Sequence, residues 1–370
     1  MNDIRLSNKS DKPDNIVEKE WLLDEAAREI ESILPSFFRP YFMYLKNSHA
    51  HSSRVEYLRD LRFFLTYLMN DTDLTSAKSI REITQQELAK VRGADVNIFL
   101  DYCRRYNMNK NSVIYVYQNS NKSLARKRSS LAVCFRYLFR NGMSETDITS
   151  ELDPIHLPKA GDREIKTLED GEVMVMLDAA RSGAGLSKKE KEYWQKNKDR
   201  DYLMLMLFVT YGLRISELQQ LNVDSFNLSR LEFKIYRKRS KETMMPLNRG
   251  VEDAFHIYVE GERETIRKMK AVHGEEALFL SLQGSRLTTR QIRDTVKKYT
   301  SVALQTSRGA GYSPHKLRAT VATSLIERGH SIYDVQELLS HDNITTTQLY
   351  AAHRKGAKRD LVNDLEWGDE

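Results

Sequence analysis

The stretch Tyr312–His341, YSPHKLRATVATSLIERGHSIYDVQELLSH, reads as two short helices around a tight turn. Ser313 stands where a helix is capped, Pro314 suits its first turn, and Gly329 suits its end. Leu317, Val321 and Leu325 recur every four residues, as the buried stripe of such a helix would. His315 and Arg318 are three apart, so they are neighbours beside that stripe. A second helix opens at Ser331, with Asp334 placed for a capping box. Taken alone, the pair also fits a helix-turn-helix reader of DNA, and an H-x-x-R pair alone is most often structural.

Working outward, YGLRISELQQL puts Arg214 directly after a buried apolar run, YLMLMLFVTYGL. That run has 12 residues, where crossing a bilayer takes about 20, so it reads as a core helix. An arginine at the end of such a helix needs an anionic partner, because a desolvated unpaired charge is costly. Glu217, three residues on, is placed to be that partner or to aim Arg214 at a phosphate. In LEFKIYRKRSKETMMPL the period changes to two: Leu231, Phe233 and Ile235 alternate with polar residues, predicting a strand. The basic turn RKRSK and a return strand through Met244 and Leu247 complete a hairpin. ALFLSL, further on, fits a third strand or a buried helical turn. Past His341 comes DNITTTQLY, ending on Tyr350.

The N-terminal half reads as helical throughout. SSRVEYLRDLRFFLTYLMN carries a stripe of Tyr57, Leu58, Leu61, Phe64, Leu65 and Leu68. TQQELAKVRGADVNIFLDYCRR keeps the same period, and in SLARKRSSLAVCFRYLFR residues Leu124, Leu131, Cys134, Phe135 and Leu138 face inward. Net charge is +6 with pI near 9.0, a modest sign of a polyanionic partner. Between Asp101 and Asn141 nine Lys or Arg stand against one acid, with tyrosines interleaved, as on a nucleic-acid face. Within that stretch Arg126, Lys127 and Arg128 are candidate DNA-binding residues. Two cysteines, Cys103 and Cys134, lie far apart with no CxxC pair, which suggests neither zinc nor a disulfide but a reduced, cytoplasmic setting. MNDIRLSNKSDKPDN lacks the apolar core of a secretion signal and reads as a polar leader. ELDPIHLPKAGDREIK, with Pro154, Pro158 and Gly161, has the composition of a linker.

Arg214, a hairpin lysine, His315 with Arg318, His341 and Tyr350 are together the groups needed to cut a phosphodiester without metal. A tyrosine nucleophile has a pKa near 10, so roughly one in a thousand is ionised at pH 7, a handicap of about 4 kcal/mol. Nearby guanidinium and imidazole groups offset that handicap and hold the added charge of a pentacoordinate phosphorane. This set, carried in order by GLRISEL, RKRSK, HKLR, LLSH and TTTQLY, resembles the tyrosine recombinase (phage integrase) family. The likeness extends to single-protein Xer recombinases of Gram-positive bacteria and, nearly as well, to integrases of mobile elements.

The resemblance implies a mainly α chain. A helical core-binding domain (36–150) follows a polar leader and N-terminal helix (1–35). A linker (151–165) leads to a mixed α/β catalytic domain (166–356) with a small antiparallel sheet. The tail (357–370) would dock on a neighbouring protomer or pack in cis through Leu361, Val362, Leu365 and Trp367. It assigns Arg214, Lys238, His315, Arg318, His341 and Tyr350 to catalysis, with Glu217 in support and Tyr350 as nucleophile. Where the family commonly has a Gly-Lys-Gly turn, this chain has Arg237-Lys238-Arg239, so Lys241 competes with Lys238 as general acid. Ser340 replaces the glycine of the family's Leu-Gly-His, and Ala319 stands where a second histidine is common. The implied partners are a double-stranded recombination site, a homotetramer on paired sites and an accessory or directionality protein. No cofactor, metal or membrane is implied. Two rival functions remain: a type IB topoisomerase-like nicking-closing enzyme, and a DNA-binding regulator without catalysis.

Overall fold

The structure is a computed structural model that describes residues 12–158, 165–237, 241–270 and 276–340. It is mostly helical with two small antiparallel sheets, and divides into the units Met1–Pro158 and Lys159–Glu370. No helix among the described residues is long and apolar enough to cross a membrane.

The first unit runs α1 (Asp14–Ile33), α2 (Arg39–Ser48), α3 (His51–Asp71), α4 (Gln85–Leu88), α5 (Gly93–Tyr102), β1 (Arg105–Lys110), β2 (Val113–Gln118) and α6 (Asn121–Arg140). Leu58, Leu61, Phe64 and Leu65 of α3 pack with Leu124, Leu131, Cys134 and Phe135 of α6 in one core. Arg54 of α3, also buried, bonds Glu31 at 2.6 Å and Asp24 at 3.2 Å, which pins α1 along α3. The stretch expected as one helix from Thr84 is two. A capping box of Thr84 and Glu87 opens α4, and α5 restarts at Gly93. Gly93 is required there, since a Cβ would stand 2.3 Å from Glu151 Cβ.

An all-helical first unit is corrected by the β1–β2 hairpin. Lys110 pairs with Val113 across Asn111 and Ser112, both at positive φ (50° and 63°), as a two-residue primed turn needs. Val113, Ile114, Tyr115 and Val116 form a β-branched and aromatic run that no helix would favour. All four are exposed, so the run shows no alternation between apolar and polar residues.

In the second unit come α7 (Asp170–Ser182), α8 (Lys188–Trp194), α9 (Lys198–Tyr211), α10 (Ile215–Gln219), β3 (Phe226–Asn227), β4 (Glu232–Tyr236) and β5 (Glu242–Pro246). They are followed by α11 (Arg249–Tyr258), α12 (Glu264–Lys270), α13 (Thr289–Ala303), α14 (Pro314–Glu327) and α15 (Ile332–Leu339). The apolar run is the inner helix α9, enclosed by α7, α11 and α14. Tyr211 at its end donates to the Pro246 carbonyl (2.8 Å) and accepts from Asn248 N (2.7 Å), tying α9 to the sheet.

The sheet order is β3-β4-β5. Phe233 and Ile235 face the core as alternation predicts, but Leu231 does not join them: at φ 51° it turns the chain before β4 and is exposed. The third strand is Phe226–Asn227. ALFLSL forms neither element but a buried stretch held by bridges at Ala277 and Leu280. On α15, Ser331 accepts from Tyr333 N rather than forming a box with Asp334. Ser313 occupies the N-cap of α14 without a side-chain capping bond.

A buried acid at the start of α9 anchors this unit. Asp201 is fully buried and bonds Arg200 (2.8 Å), Lys298 (3.0 Å) and the Tyr299 hydroxyl (2.9 Å). Burial alone would raise its pKa, but Arg200 and Lys298 outweigh that and hold it below the usual carboxylate range. Asp201→Asn should therefore cost about 3–5 kcal/mol at neutral pH. That lowers the melting temperature by roughly 6–20 °C in a unit of this size. A lowered folded-state pKa contributes stability above the unfolded value of about 3.9, lost as pH falls below it. The gap between variant and parent should thus narrow in melts taken below about pH 4. A second expectation concerns the C-cap of α15, where Ser340 sits in the left-handed region at φ 45°. Ser340→Gly should relieve about 1 kcal/mol of backbone strain, raising the melting temperature by a few degrees.

Candidate active site

Helix α9 cannot run on past Tyr211, because Gly212 takes a left-handed conformation at φ 58°. Gly212 also lies against α15: a Cβ there would stand 2.5 Å from Leu339 Cδ2. The chain then reverses into α10, with Arg214 as its N-cap. Glu217 accepts from Arg214 N at 2.8 Å and from Arg214 Nη1 at 2.7 Å. One buried carboxylate thus caps the helix and fixes the guanidinium, an economy that the spacing of three makes available. Arg214 remains about one-third exposed, and its Nη2 donates to the Ser340 carbonyl at 2.9 Å.

Arg318 enters from α14, buried at 3% exposure. Its Nη1 donates to the Gly212 carbonyl at 2.7 Å and its Nη2 to the Leu339 carbonyl. His315 lies one turn earlier on α14 and is exposed.

A third guanidinium completes the arrangement. Arg237 follows β4, is 7% exposed, and donates through Nη2 to the Leu338 carbonyl at 2.8 Å and towards Met245 Sδ at 3.4 Å. Its Nε is buried with no partner among the described residues. An unsatisfied buried donor costs about 1–3 kcal/mol, so something must favour keeping it. Burial lowers the Arg237 pKa, with Arg214 adding to the effect and Glu217 opposing it. Its own amide donates to the Lys241 carbonyl at 2.8 Å, closing the hairpin turn, where Lys241 is exposed.

Arg237, Arg318 and Arg214 therefore take the carbonyls of Leu338, Leu339 and Ser340, three in a row at the C-terminal end of α15. The last carbonyls of a helix have no intrahelical partner and carry the negative end of its dipole, which is why guanidinium groups collect there. Of the residues expected in the site, Arg214, Glu217 and Arg318 meet at this point. Lys238, His341 and Tyr350 lie outside the described residues. Arg237 was missed, although Phe233, Ile235 and Arg237 are spaced by two and the inward face of β4 continues to it.

The basic residues of α6 make contacts of another kind. Asp60, buried on α3, bonds Arg126 at 2.5 Å and Lys127 at 3.0 Å. Arg128 donates to the carbonyls of Leu152 (2.7 Å) and Asp153 (2.8 Å). Arg126 keeps 41% of its side chain exposed and Lys127 only 12%.

Comparison with known proteins places this arrangement. The profile of the phage integrase family matches residues 167–356. The tyrosine recombinase XerC of Alcanivorax borkumensis is 31% identical over 62% of this chain and 69% of its own length. The tyrosine recombinase XerD of Staphylococcus epidermidis is 30% identical over 66% of this chain and 77% of its own. Among solved structures, the XerH site-specific recombinase in a post-cleavage complex with its palindromic difH substrate shares the fold. Its TM-score is 0.58 at 18% identity, over 97% of this chain and 91% of that one. A domain match over half the chain, relatives at this identity and arginines converging beside a Leu-Ser-His segment agree: the chain belongs to the phage integrase family of tyrosine recombinases.

Proposed function

We propose that this recombinase cuts and rejoins double-stranded DNA at a specific site through a 3′-phosphotyrosine intermediate. The observation that carries the reading is the meeting of Arg214, Glu217 and Arg318 at the helix end that hands the chain on to His341. Arg214 is fixed through Nη1 on Glu217 and Nη2 on the Ser340 carbonyl, and Arg318 through Nη1 and Nη2 on the carbonyls of Gly212 and Leu339. A guanidinium is planar and always charged, which suits it to the oxygens of a phosphate, and Arg214 is about one-third exposed beside this helix end.

In this mechanism Tyr350 attacks the scissile phosphate as its phenolate, its proton having passed to solvent, and the O–P bond forms as the bond to the 5′ oxygen breaks. Arg214, Arg318, His315 and His341 hold the extra negative charge of the phosphorane, acting where charge develops. Lys238, or Lys241 across the same turn, supplies the proton to the departing 5′ oxygen. The phosphotyrosine retains the energy of the broken phosphodiester, and attack by a 5′ hydroxyl reverses the step. Exposed Lys and Arg, Arg126 and Lys241 among them, add phosphate contacts that favour any DNA sequence; base contacts choose the site. Two sites held by a homotetramer, with an accessory protein setting direction, would exchange strands through a Holliday junction. The setting is cytoplasmic, in chromosome dimer resolution or in the movement of a mobile element.

A nicked half-site that releases its 5′ fragment traps the covalent complex. Tyr350→Phe should bind this DNA like the parent and form no covalent adduct; an adduct of undiminished yield would reject Tyr350 as nucleophile. Arg214→Lys keeps the charge but loses the fork, and single-turnover cleavage should fall about 10²-fold, the order seen when one transition-state donor is lost. Removing residues after 357 should leave single-site binding intact in gel-shift assays and reduce recombination between two sites. Recombination at the parent's rate would show that the tail does not dock between protomers.

A further inference from the structure

Two departures from the family pattern meet in space. Arg237 stands where the family has the first glycine of its lysine turn, and Ser340 where it has the glycine before histidine. Ser340 is held in a left-handed conformation that glycine would adopt without strain. Arg237 reaches from the end of β4 to the carbonyl of Leu338, two residues before it. Its guanidinium is nearly buried, it closes the hairpin through its own amide, and its Nε has no partner among the described residues. A long charged side chain is held there at a desolvation cost that hairpin closure alone does not explain, because the amide bond to Lys241 would serve with any residue.

We infer that Arg237 is a positioning residue: by holding the Leu338 carbonyl it keeps the strained end of α15 in place for Arg214 and Arg318. The inference rests on the strand-transfer reading above and concerns how its site is kept in register. Leu338, Leu339 and Ser340 each give a carbonyl to a different arginine. If the strained turn at Ser340 relaxes, all three carbonyls shift together, and the planes of Arg214 and Arg318 turn with them. A misplacement on the scale of an ångström costs about 10²-fold in rate while leaving affinity, which many phosphate contacts share, nearly intact.

The test is a cycle of R237G and S340G, with R237M as a control that keeps bulk and removes the donors. Cleavage of the nicked half-site is measured in single turnover at saturating DNA, alongside binding and thermal melts. R237G and R237M should each slow cleavage about 10²-fold with half-saturation changed less than about threefold. The loss on R237G should be at least about tenfold smaller when S340G is also present, because the unstrained turn no longer needs the clamp. Equal losses in both backgrounds, or no loss on R237G and R237M, would overturn the inference. Loss of binding together with a collapsed melt would assign Arg237 to folding and overturn it as well. The parent reports on the underlying reading separately: if it forms no covalent complex, strand transfer itself fails, whereas a parent that cleaves like R237G removes only Arg237.

Discussion

Three consecutive carbonyls at the end of α15 are the constraint around which the candidate site of the second unit is arranged. A helix end of this kind leaves acceptors that must find donors, and here the donors are Arg237, Arg318 and Arg214. They come from the end of a strand, the middle of a helix and the cap of another helix. Segments far apart in sequence are joined by the most strongly basic side chain available. Under the proposed strand transfer, the same bonds collect cationic groups where a phosphate would be held. Structural need and chemical need coincide, so a buried arginine such as Arg318 is tolerated despite its desolvation cost.

The geometry depends on small backbone decisions upstream. Gly212 ends α9, lets Leu339 approach and offers its carbonyl to Arg318. Arg214 follows two residues later as an N-cap, where Glu217 meets it with both carboxylate oxygens. A larger residue at Gly212 would push α15 away and unseat all three arginines, which bond its last three carbonyls. Arginine rather than lysine suits these places because its donors lie in one plane, so binding one edge orients the rest.

Much of this was legible from periodicity. The buried stripes of α3 and α6 and the apolar run inside α9 follow from residue spacing. On α14 Leu317 and Val321 are buried as expected, but Leu325 is only partly so and Ile326 beside it is buried, because this helix is packed on more than one face. Arg214 with Glu217 was legible from a spacing of three beside an apolar run. The β1–β2 hairpin was not: both faces of its second strand are exposed, so there is no inside to write an alternation. Ala277–Leu282 was ambiguous because burial of nearly every residue erases period. Arg237 was obscured by its neighbours. In a run of four basic residues among five, the inward one looks like the outward ones, and only counting by twos from Phe233 separates it. Lys238, His341 and Tyr350, which lie outside the described residues, are expected from family motifs alone.

Burial also sorts the basic residues of this chain in a way that net charge cannot. Arg54, Arg200, Arg237, Arg263 and Arg318 are all buried, and the first two have carboxylates within ion-pair distance. Arg263 donates to the Ala277 carbonyl, and Arg237 and Arg318 to the end of α15. A guanidinium paired with a carboxylate has spent its charge on the fold. One held only on backbone dipoles keeps most of its field, because a carbonyl satisfies a donor without cancelling a charge. Arg237 holds the Leu338 carbonyl and reaches the Met245 sulfur, next to Arg214, which is paired with Glu217 and one-third exposed. Under the proposed function, a phosphodiester approaching α15 would meet guanidinium groups that Glu217 offsets in part, much as Asp60 offsets Arg126 and Lys127. The basic stretch that is densest in sequence is thus partly neutralised by Asp60, and the cations of the candidate site are scattered along the chain.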